Sequence, residues 1–216
     1  MKTKIIIAIA ALAAFPAVAL AGPIIGLGYS DIGLSGHSGR PGIQISAGNL
    51  YHHNVVASGS ATFARGYYQM DAAIGKIVQT RGTVSFEPYL SAGFLNLNYN
   101  QQETGYTTSQ VNSGYGFSYT QSTPYSYTQA NSIQDFYGLA GANLNIPLGS
   151  KVGLEFGGGF GHTLMAQNGN GGAVYKGEAK AGFKIARHVT ANINVAYLHL
   201  PGASLTSYGA GLAYHF

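Results

Sequence analysis

Apolar and polar residues alternate one by one in short segments of this chain, most regularly over the last ten residues, 207–216. Successive side chains of a strand point to opposite faces, so alternate residues share a row. One row of this segment is apolar and consists of Tyr208, Ala210, Leu212, Tyr214 and Phe216. The other row carries only serine, glycine, alanine and histidine. The segment is therefore predicted to be a strand with one apolar face.

Nine earlier segments show the same alternation between turn residues, and no helical period follows the first 21 residues. Ten strands are predicted, with eight as the alternative. The predicted strands are Ile24–Leu34, Ile43–Tyr51, Val55–Arg65, Tyr67–Gln79, Val84–Asn98, Ile133–Leu148, Val152–Thr163, Ala173–Ile185, Val189–Leu200 and Thr206–Phe216. In Val84–Asn98 the apolar residues change rows partway, which predicts a β-bulge near Gly93 and Phe94.

The connections between these strands alternate in length. Short ones, such as 53–54, 149–151 and 186–188, alternate with longer ones, such as 35–42, 164–172 and 201–205. Transmembrane barrels have short periplasmic turns and longer outer loops. The fold class predicted is therefore all-β, an antiparallel transmembrane β-barrel whose chain ends lie on the periplasmic side. A soluble β-sandwich, which also alternates, is the alternative.

The longest connection, 99–132, is rich in Tyr, Ser, Thr, Gln, Asn and Gly, and Glu103 is its only charge. No packed core can be drawn from this composition, so a long outer loop is predicted. Loops often carry binding residues, and lipopolysaccharide, another cell or a phage is the expected contact. A solvated variable loop is the alternative. The predicted contact residues are Tyr106, Tyr115, Tyr119, Tyr125 and Tyr127.

Residues 1–21 are predicted to be a cleaved signal peptide, followed by a barrel domain over 22–216. Lys2 and Lys4 precede an apolar run that ends in the small residues of a cleavage site, Ala19-Leu20-Ala21. Without them, 9 of the 11 basic residues remain against 7 acidic ones. This excess is too small and too scattered to predict nucleic-acid binding.

The composition favours the membrane barrel over the sandwich. Charged residues make up 8% of the chain, whereas soluble domains contain about 25%. The 32 glycines and 16 tyrosines fit strands and membrane interfaces better than helices. Because the chain has no cysteine, its stability must come from packing or from closure of the sheet.

Several charged residues fall on the rows opposite the apolar ones, which predicts a polar interior. Unpaired charge in a narrow lumen is costly, so pairing is expected. A barrel of about eight strands is just filled by side chains, which favours a plugged lumen over a charged constriction for a small solute. The luminal glycines keep the channel as an alternative. The predicted luminal charges are Asp71, Glu87, Asp135, Glu155, Lys176, Glu178, Lys180 and Lys184.

The sequence contains no recognisable catalytic pattern. His37 lies beside Ser38, but the Gly-x-Ser-x-Gly pattern is missing because Arg40 follows Gly39. His52 and His53 would point apart in an extended chain, whereas paired metal ligands share a face. A non-enzymatic protein without catalytic residues, metal or cofactor is therefore predicted. A membrane-embedded lipid-modifying enzyme is the second alternative.

The last strand resembles the final strand of bacterial outer-membrane barrels. That resemblance implies that Tyr208, Leu212, Tyr214 and Phe216 are read by the barrel-insertion machinery. The whole chain resembles the small Gram-negative barrels, namely the outer-membrane protein A transmembrane domain and the opacity proteins, whose families imply no catalytic residues. The runs 143–149 and 178–182, leading to Tyr197-Leu198, resemble the YfaZ-like group. We expect a monomer in the cell outer membrane that contacts membrane lipid and lipopolysaccharide.

Overall fold

A closed ring of paired strands forms the body of the molecule. The structure is a computed structural model that describes residues 21–34, 39–80, 83–113, 117–167 and 171–216. Of the predicted signal peptide, residues 1–20 lie outside the described part. The strands are β1 Ala21–Leu34, β2 Arg40–Leu50, β3 Val55–Ala64, β4 Tyr67–Lys76, β5 Val78–Gln79, β6 Ser85–Ser113, β7 Phe117–Leu148, β8 Val152–Ala166, β9 Ala173–Ala186, β10 Val189–Leu200 and β11 Ala203–His215.

The ring closes between the first and last strands. β1 pairs with β11 from Ile24 opposite His215 to Leu34 opposite Leu205, and the Phe216 amide donates to the Pro23 carbonyl at 3.1 Å. β4 and β5 are two parts of one barrel strand, since both pair with β6. The predicted ten-stranded antiparallel barrel is therefore confirmed.

β6 and β7 continue far beyond the other strands. Their register runs without a shift from Ser85 opposite Asn145 to Ser113 opposite Phe117. Residues 99–113 and 117–132, which we call the ribbon, are therefore paired strands where the sequence predicts a loop. The barrel ladder fixes the register of these segments, and their Thr and Tyr residues favour strands. A packed core is not needed to hold this extension.

The two ends of the barrel differ. The short-turn end contains the start of β1, the end of β11, the 3-10 turn His52–Asn54 and the turns at 149–151 and 187–188. The ribbon end contains the ribbon and the turns at 65–66 and 201–202. The longer connection predicted over 201–205 is only a two-residue turn, because Gly202 adopts a φ of 88° that other residues rarely reach.

Large apolar side chains face outward around the middle of the barrel. Leu27, Ile74, Leu90 and Phe160 are each more than half exposed. Lys76 falls in an outward row, but it is the last residue of β4 and lies exposed at the short-turn end. An apolar surface of this extent is typical of an interaction site and not of a soluble monomer. In the described part of the chain, no helix has the length and apolar character needed to cross a membrane.

A second apolar layer fills the lumen at the ribbon end. Leu95, Leu97 and Leu200 are 0% exposed, and complete burial of one such side chain contributes about 2 kcal/mol. Tyr67 and Tyr137 are 5% and 0% exposed and belong to the same layer. The buried cluster consists of Ile32, Leu34, Tyr67, Leu95, Leu97, Ile133, Tyr137, Leu139, Val174, Leu198, Leu200, Ala203 and Leu205. We call it the apolar luminal layer.

The β-bulge predicted near Gly93 and Phe94 is wrong, because β6 pairs with β4 and β7 without a register shift. Leu95 and Leu97 occupy the luminal row because they belong to the apolar luminal layer. Asn96 occupies the outward row at the same level. The two rows of β6 therefore exchange character within a regular strand.

A register shift does occur between β7 and β8. Phe136 lies opposite Met165, but the next residue, Tyr137, lies opposite Thr163. The extra residue in β8 is Leu164, and both Leu164 and Met165 are exposed. This irregularity lies at the end of β8 that is nearest to the ribbon.

Candidate functional site

Six of the eight predicted luminal charges lie within electrostatic reach of one another. Glu87 on β6 interacts electrostatically with Glu155, Glu178 and Lys180. Lys176 interacts in the same way with Glu178 and Asp71. These residues come from β4, β6, β8 and β9. Their side chains share the lumen between the apolar luminal layer and the short-turn end. We call this group the charged cluster.

Two ion pairs neutralise part of the charged cluster. Lys176 Nζ lies 3.1 Å from Glu178 Oε2, and Lys180 Nζ lies 3.5 Å from Glu155 Oε2. The first pair joins alternate residues of one strand, whereas Glu155 and Lys180 lie directly opposite each other on β8 and β9. No group of three or more His, Asp or Glu in the described ranges could hold a metal ion.

Asp135 and Lys184 lie away from the charged cluster. Asp135 is 4% exposed and lies opposite Leu95, within the apolar luminal layer. Lys184 is exposed near the short-turn end, opposite Thr190 on β10. Within the described residues neither forms an ion pair. The alternation in the sequence could not reveal this separation, because it carries no information on depth along the barrel.

Asp71 belongs to a hydrogen-bonded network that reaches across β6. Asp71, Gly93 and Tyr137 lie in one register row on β4, β6 and β7. Gly93 has no side chain, so the Tyr137 ring lies over it, and a Cβ there would overlap the ring. The Tyr137 hydroxyl donates to Asp71 Oδ1 at 2.7 Å. The same carboxylate accepts a 2.7 Å bond from Gln69, whose Oε1 accepts from Tyr67.

A second tyrosine covers glycines farther along the lumen. Tyr89 lies opposite Gly141, which lies opposite Gly159, and the Tyr89 hydroxyl would be 2.9 Å from a Cβ at Gly159. Glu178 and Asn143 crowd Gly157 in the same way. Neighbouring side chains therefore occupy the space beside these luminal glycines. Sequence reasoning missed Tyr89 and Tyr137, whose signal is a tyrosine directly across from a glycine.

The ribbon carries the described part of the predicted tyrosine set. Tyr106 is 68% exposed, and the Tyr125 ring lies over Gly105. The Tyr127 hydroxyl donates to Glu103 Oε2 at 2.7 Å, and this hydrogen bond, with the nearby negative charge, raises the pKa of Tyr127. The backbone of Tyr119 lies opposite Val111. Tyr115 lies outside the described residues.

The residues of the predicted insertion signal share one outward row, which runs along β11 and ends at Phe216. Tyr208, Leu212, Tyr214 and Phe216 are 61%, 53%, 46% and 63% exposed. The rings of Tyr214 and Phe216 meet edge to face with their centroids 4.9 Å apart. The row is continuous up to the short-turn end, where Phe216 joins β1.

No protein-family model matches the sequence, and no curated protein matches it. Among solved structures, the outer membrane protease OmpT from Escherichia coli is 12% identical with a TM-score of 0.50, covering 90% of this chain and 94% of that chain. The NanC porin is 8% identical with a TM-score of 0.49 (89% and 100% covered). The attachment invasion locus protein Ail of Yersinia pestis is 10% identical with a TM-score of 0.38 (91% and 97% covered).

The likeness to OmpT shows a shared barrel fold and nothing beyond it. The other two likenesses are too low to carry a conclusion. The placement in the YfaZ-like group stays a prediction.

Replacing Gly93 by valine should destabilise the barrel. The valine side chain overlaps the Tyr137 ring and displaces it, which breaks the hydrogen bond from Tyr137 to Asp71. We expect the free energy of unfolding to fall by about 2–4 kcal/mol. The measurement is urea unfolding in detergent, in which heat-dependent gel migration reports the folded fraction. Gly177→Val is the matched control, since a Cβ at Gly177 meets no atom within 4 Å. Equal stability of the two variants would contradict the proposed packing.

The Tyr127 phenol should titrate above the ordinary tyrosine range. Because its pKa is raised in the folded ribbon, the hydrogen bond to Glu103 stabilises the ribbon below the ordinary pKa and is lost as pH rises through the raised value. Tyrosine ring-carbon NMR in detergent measures this titration, with Tyr127→Phe to assign the signal. Glu103→Gln should lower the pKa of Tyr127, whereas an unchanged pKa would show that Glu103 does not act on it.

Proposed function

We propose that this protein is an integral barrel of the bacterial outer membrane with a closed lumen and a non-enzymatic role in surface interaction. The observation that carries the proposal is the pairing of two apolar surfaces, one outside the barrel and one inside it at the ribbon end. The outer surface fits hydrocarbon, because the closed ladder leaves no unpaired strand edge in the barrel wall. The inner surface blocks the path along the axis.

The closed lumen separates this proposal from a transport role. Water and ions cross a pore only where polar groups line it, and a dewetted apolar constriction excludes both. The apolar luminal layer brings side chains from seven strands into contact at the ribbon end. The charged cluster below it is then a polar filling that braces the wall through two ion pairs.

The ribbon supports the interaction part of the proposal. It extends past the barrel for about 45 Å at about 3.3 Å per residue. Tyr106, Tyr125 and Tyr127 are exposed along it, and exposed tyrosines are common contact residues because they are large and carry a hydroxyl. We propose that the ribbon lies on the outer side of the membrane, where lipopolysaccharide surrounds its base.

A narrow channel for small polar solutes is the second candidate. A cavity of about 360 Å³ opens near the short-turn end and is lined by Ser85, Asn145, Glu155 and Lys180, among others. It would be the entrance of such a channel. The cavity favours this reading only if the apolar luminal layer opens.

Purified wild-type protein in planar bilayers should show no resolved conductance steps, because the apolar luminal layer excludes ions. The double variant Leu97→Ser/Leu200→Ser places hydroxyls in that layer and should produce steps. Leu90→Ala, on the outward row of β6, is the control and should stay silent. Single-channel recording measures all three.

Resolved steps from the wild-type protein would overturn the closed lumen and support the channel. Glu155→Gln should then change ion selectivity, because it removes one charge from the cavity wall.

We also propose that the outward row of β11 is read by the barrel-insertion machinery. Phe216→Ser should lower the amount of protein inserted in cells several-fold, because the terminal aromatic residue is lost from that row. Refolding of the same variant in detergent should be nearly unchanged, since the backbone bond from residue 216 to Pro23 remains. The measurements are outer-membrane fractionation and heat-dependent gel migration. Equal losses in both would mean that Phe216 serves stability alone.

A further inference from the structure

We propose that the ribbon is a self-recognition element: its β6 edge pairs with the same edge of a second copy held in a facing membrane. The inference rests on the proposed function, which places the ribbon outside the cell. It adds the identity of the partner, a second copy of this chain. The contact is a ladder of backbone hydrogen bonds.

The β6 edge begins where the ladder between β4 and β6 ends. The Asn98 amide donates to the Gly66 carbonyl at 2.7 Å. The Asn98 carbonyl, on the same side, accepts from Arg40 Nη1 at 2.8 Å. Arg40 therefore caps the last bonded residue of the barrel wall. Beyond it, β7 is the one strand in the described structure that pairs with β6.

The alternation of the backbone identifies which groups are open. In an antiparallel strand, alternate residues direct both the amide and the carbonyl to the same side. Asn98 directs its groups away from β7, so the even-numbered residues from Asn100 to Asn112 do so too. This edge contains no proline. Every open position on it keeps both a donor and an acceptor.

The opposite edge of the ribbon is incomplete. The Gln134 carbonyl accepts from the Gln167 amide at 3.0 Å, so the even-numbered residues of β7 face away from β6. Pro124 is one of them, and it has no amide hydrogen to donate. An added strand would therefore lose a hydrogen bond on the β7 edge but none on the β6 edge.

The β6 edge also lacks the usual protection against strand addition. Natural proteins guard edges with lysine, proline or bulges, and segment 100–112 contains none of the first two and pairs with β7 without a shift. Its one charge, Glu103, accepts a hydrogen bond from Tyr127 on the neighbouring strand, and full overlap of two such edges places it opposite Ser109 and not opposite its own copy. Two identical edges therefore meet without charge repulsion between residues at the seam.

Symmetry decides the geometry. Two identical edges pair with matching groups when the strands are antiparallel and related by a two-fold axis. With full overlap of 100–112, the axis passes at Tyr106, and Thr104 lies opposite Thr108 of the second copy. Antiparallel ribbons place the two barrels at opposite ends of the contact. Copies in one membrane point the same way, so the inferred pairing links two membranes.

The test is clustering of phosphatidylcholine vesicles that contain the full mature protein, and light scattering measures the clustering. Wild-type vesicles should cluster. Thr104→Pro removes a donor from the β6 edge without touching the β6–β7 bonds, and it should slow clustering at least about tenfold. Ser126→Pro, directly across from Thr104 on β7, is the matched control and should cluster like the wild type. Heat-dependent gel migration verifies that each barrel is folded.

A cysteine variant tests the geometry independently of proline effects. The chain has no cysteine, so Tyr106→Cys places a single thiol at the inferred axis, with Cα atoms about 5.5 Å apart, which a disulfide can bridge. Two vesicle populations, with tagged and untagged Tyr106→Cys protein, should give mixed disulfide dimers on oxidation. Ser126→Cys should not.

Absence of wild-type clustering would overturn the proposal, as would equal effects of the two proline variants or dimers confined to one vesicle population. These outcomes leave the proposed closed barrel intact, since conductance is measured on single proteins. Conversely, a conducting wild-type barrel that still clusters would overturn the closed lumen alone.

Discussion

The structure depends on one constraint, that every backbone amide and carbonyl in the barrel wall must find a partner in the wall itself. A group left unpaired in an apolar surrounding costs several kcal/mol. The contact between β1 and β11 meets this requirement by joining the two ends of the sheet. The other features follow from it: outward rows are free to be apolar, and inward rows must fill a space of fixed width.

The lumen is filled by a pairing of tyrosines with glycines and not by large residues at every position. Tyr137 lies over Gly93 and Tyr89 over Gly141, each across one strand in register. A tyrosine ring over a glycine occupies the space that the missing side chain leaves, and the Tyr137 hydroxyl reaches the Asp71 carboxylate on β4. These glycines thus provide the space in which the tyrosine rings pack.

The fold could be predicted from the sequence because a closed barrel with an apolar outer surface imposes a period of two on every strand, and the closing strand with Phe216 shows it most clearly. The depth of each residue along the barrel could not be predicted, since alternation is the same at every level. For this reason the change of rows before Leu95 and Leu97 predicts a bulge, although both side chains pack inside the lumen. For the same reason the alternation predicts that Asp135 shares a site with charges from which the structure separates it. The sign that identifies such a level is a strand whose two rows exchange character, as at Asn96.

Segment 99–132 shows a different limit. Its composition resembles that of a loop, because no apolar row offers a core. Pairing there is inherited from Ser85 to Leu97, which set the register against β7 before the ribbon begins. The strand propensities of residues 99–132 alone could not reveal that the adjoining β6–β7 ladder fixes their pairing.

The unbroken register of β6 and β7 also has a mechanical consequence. Interstrand hydrogen bonds run perpendicular to the strands, so a pull on the distal end of the ribbon, directed along the barrel axis, loads the β4–β6 and β7–β8 ladders in shear. Many bonds then share the tension together, whereas a pull across the strands would break them one after another. The ribbon is therefore mechanically continuous with the barrel wall, and the hydrogen bonds along the full height of that wall resist a pull on its distal end.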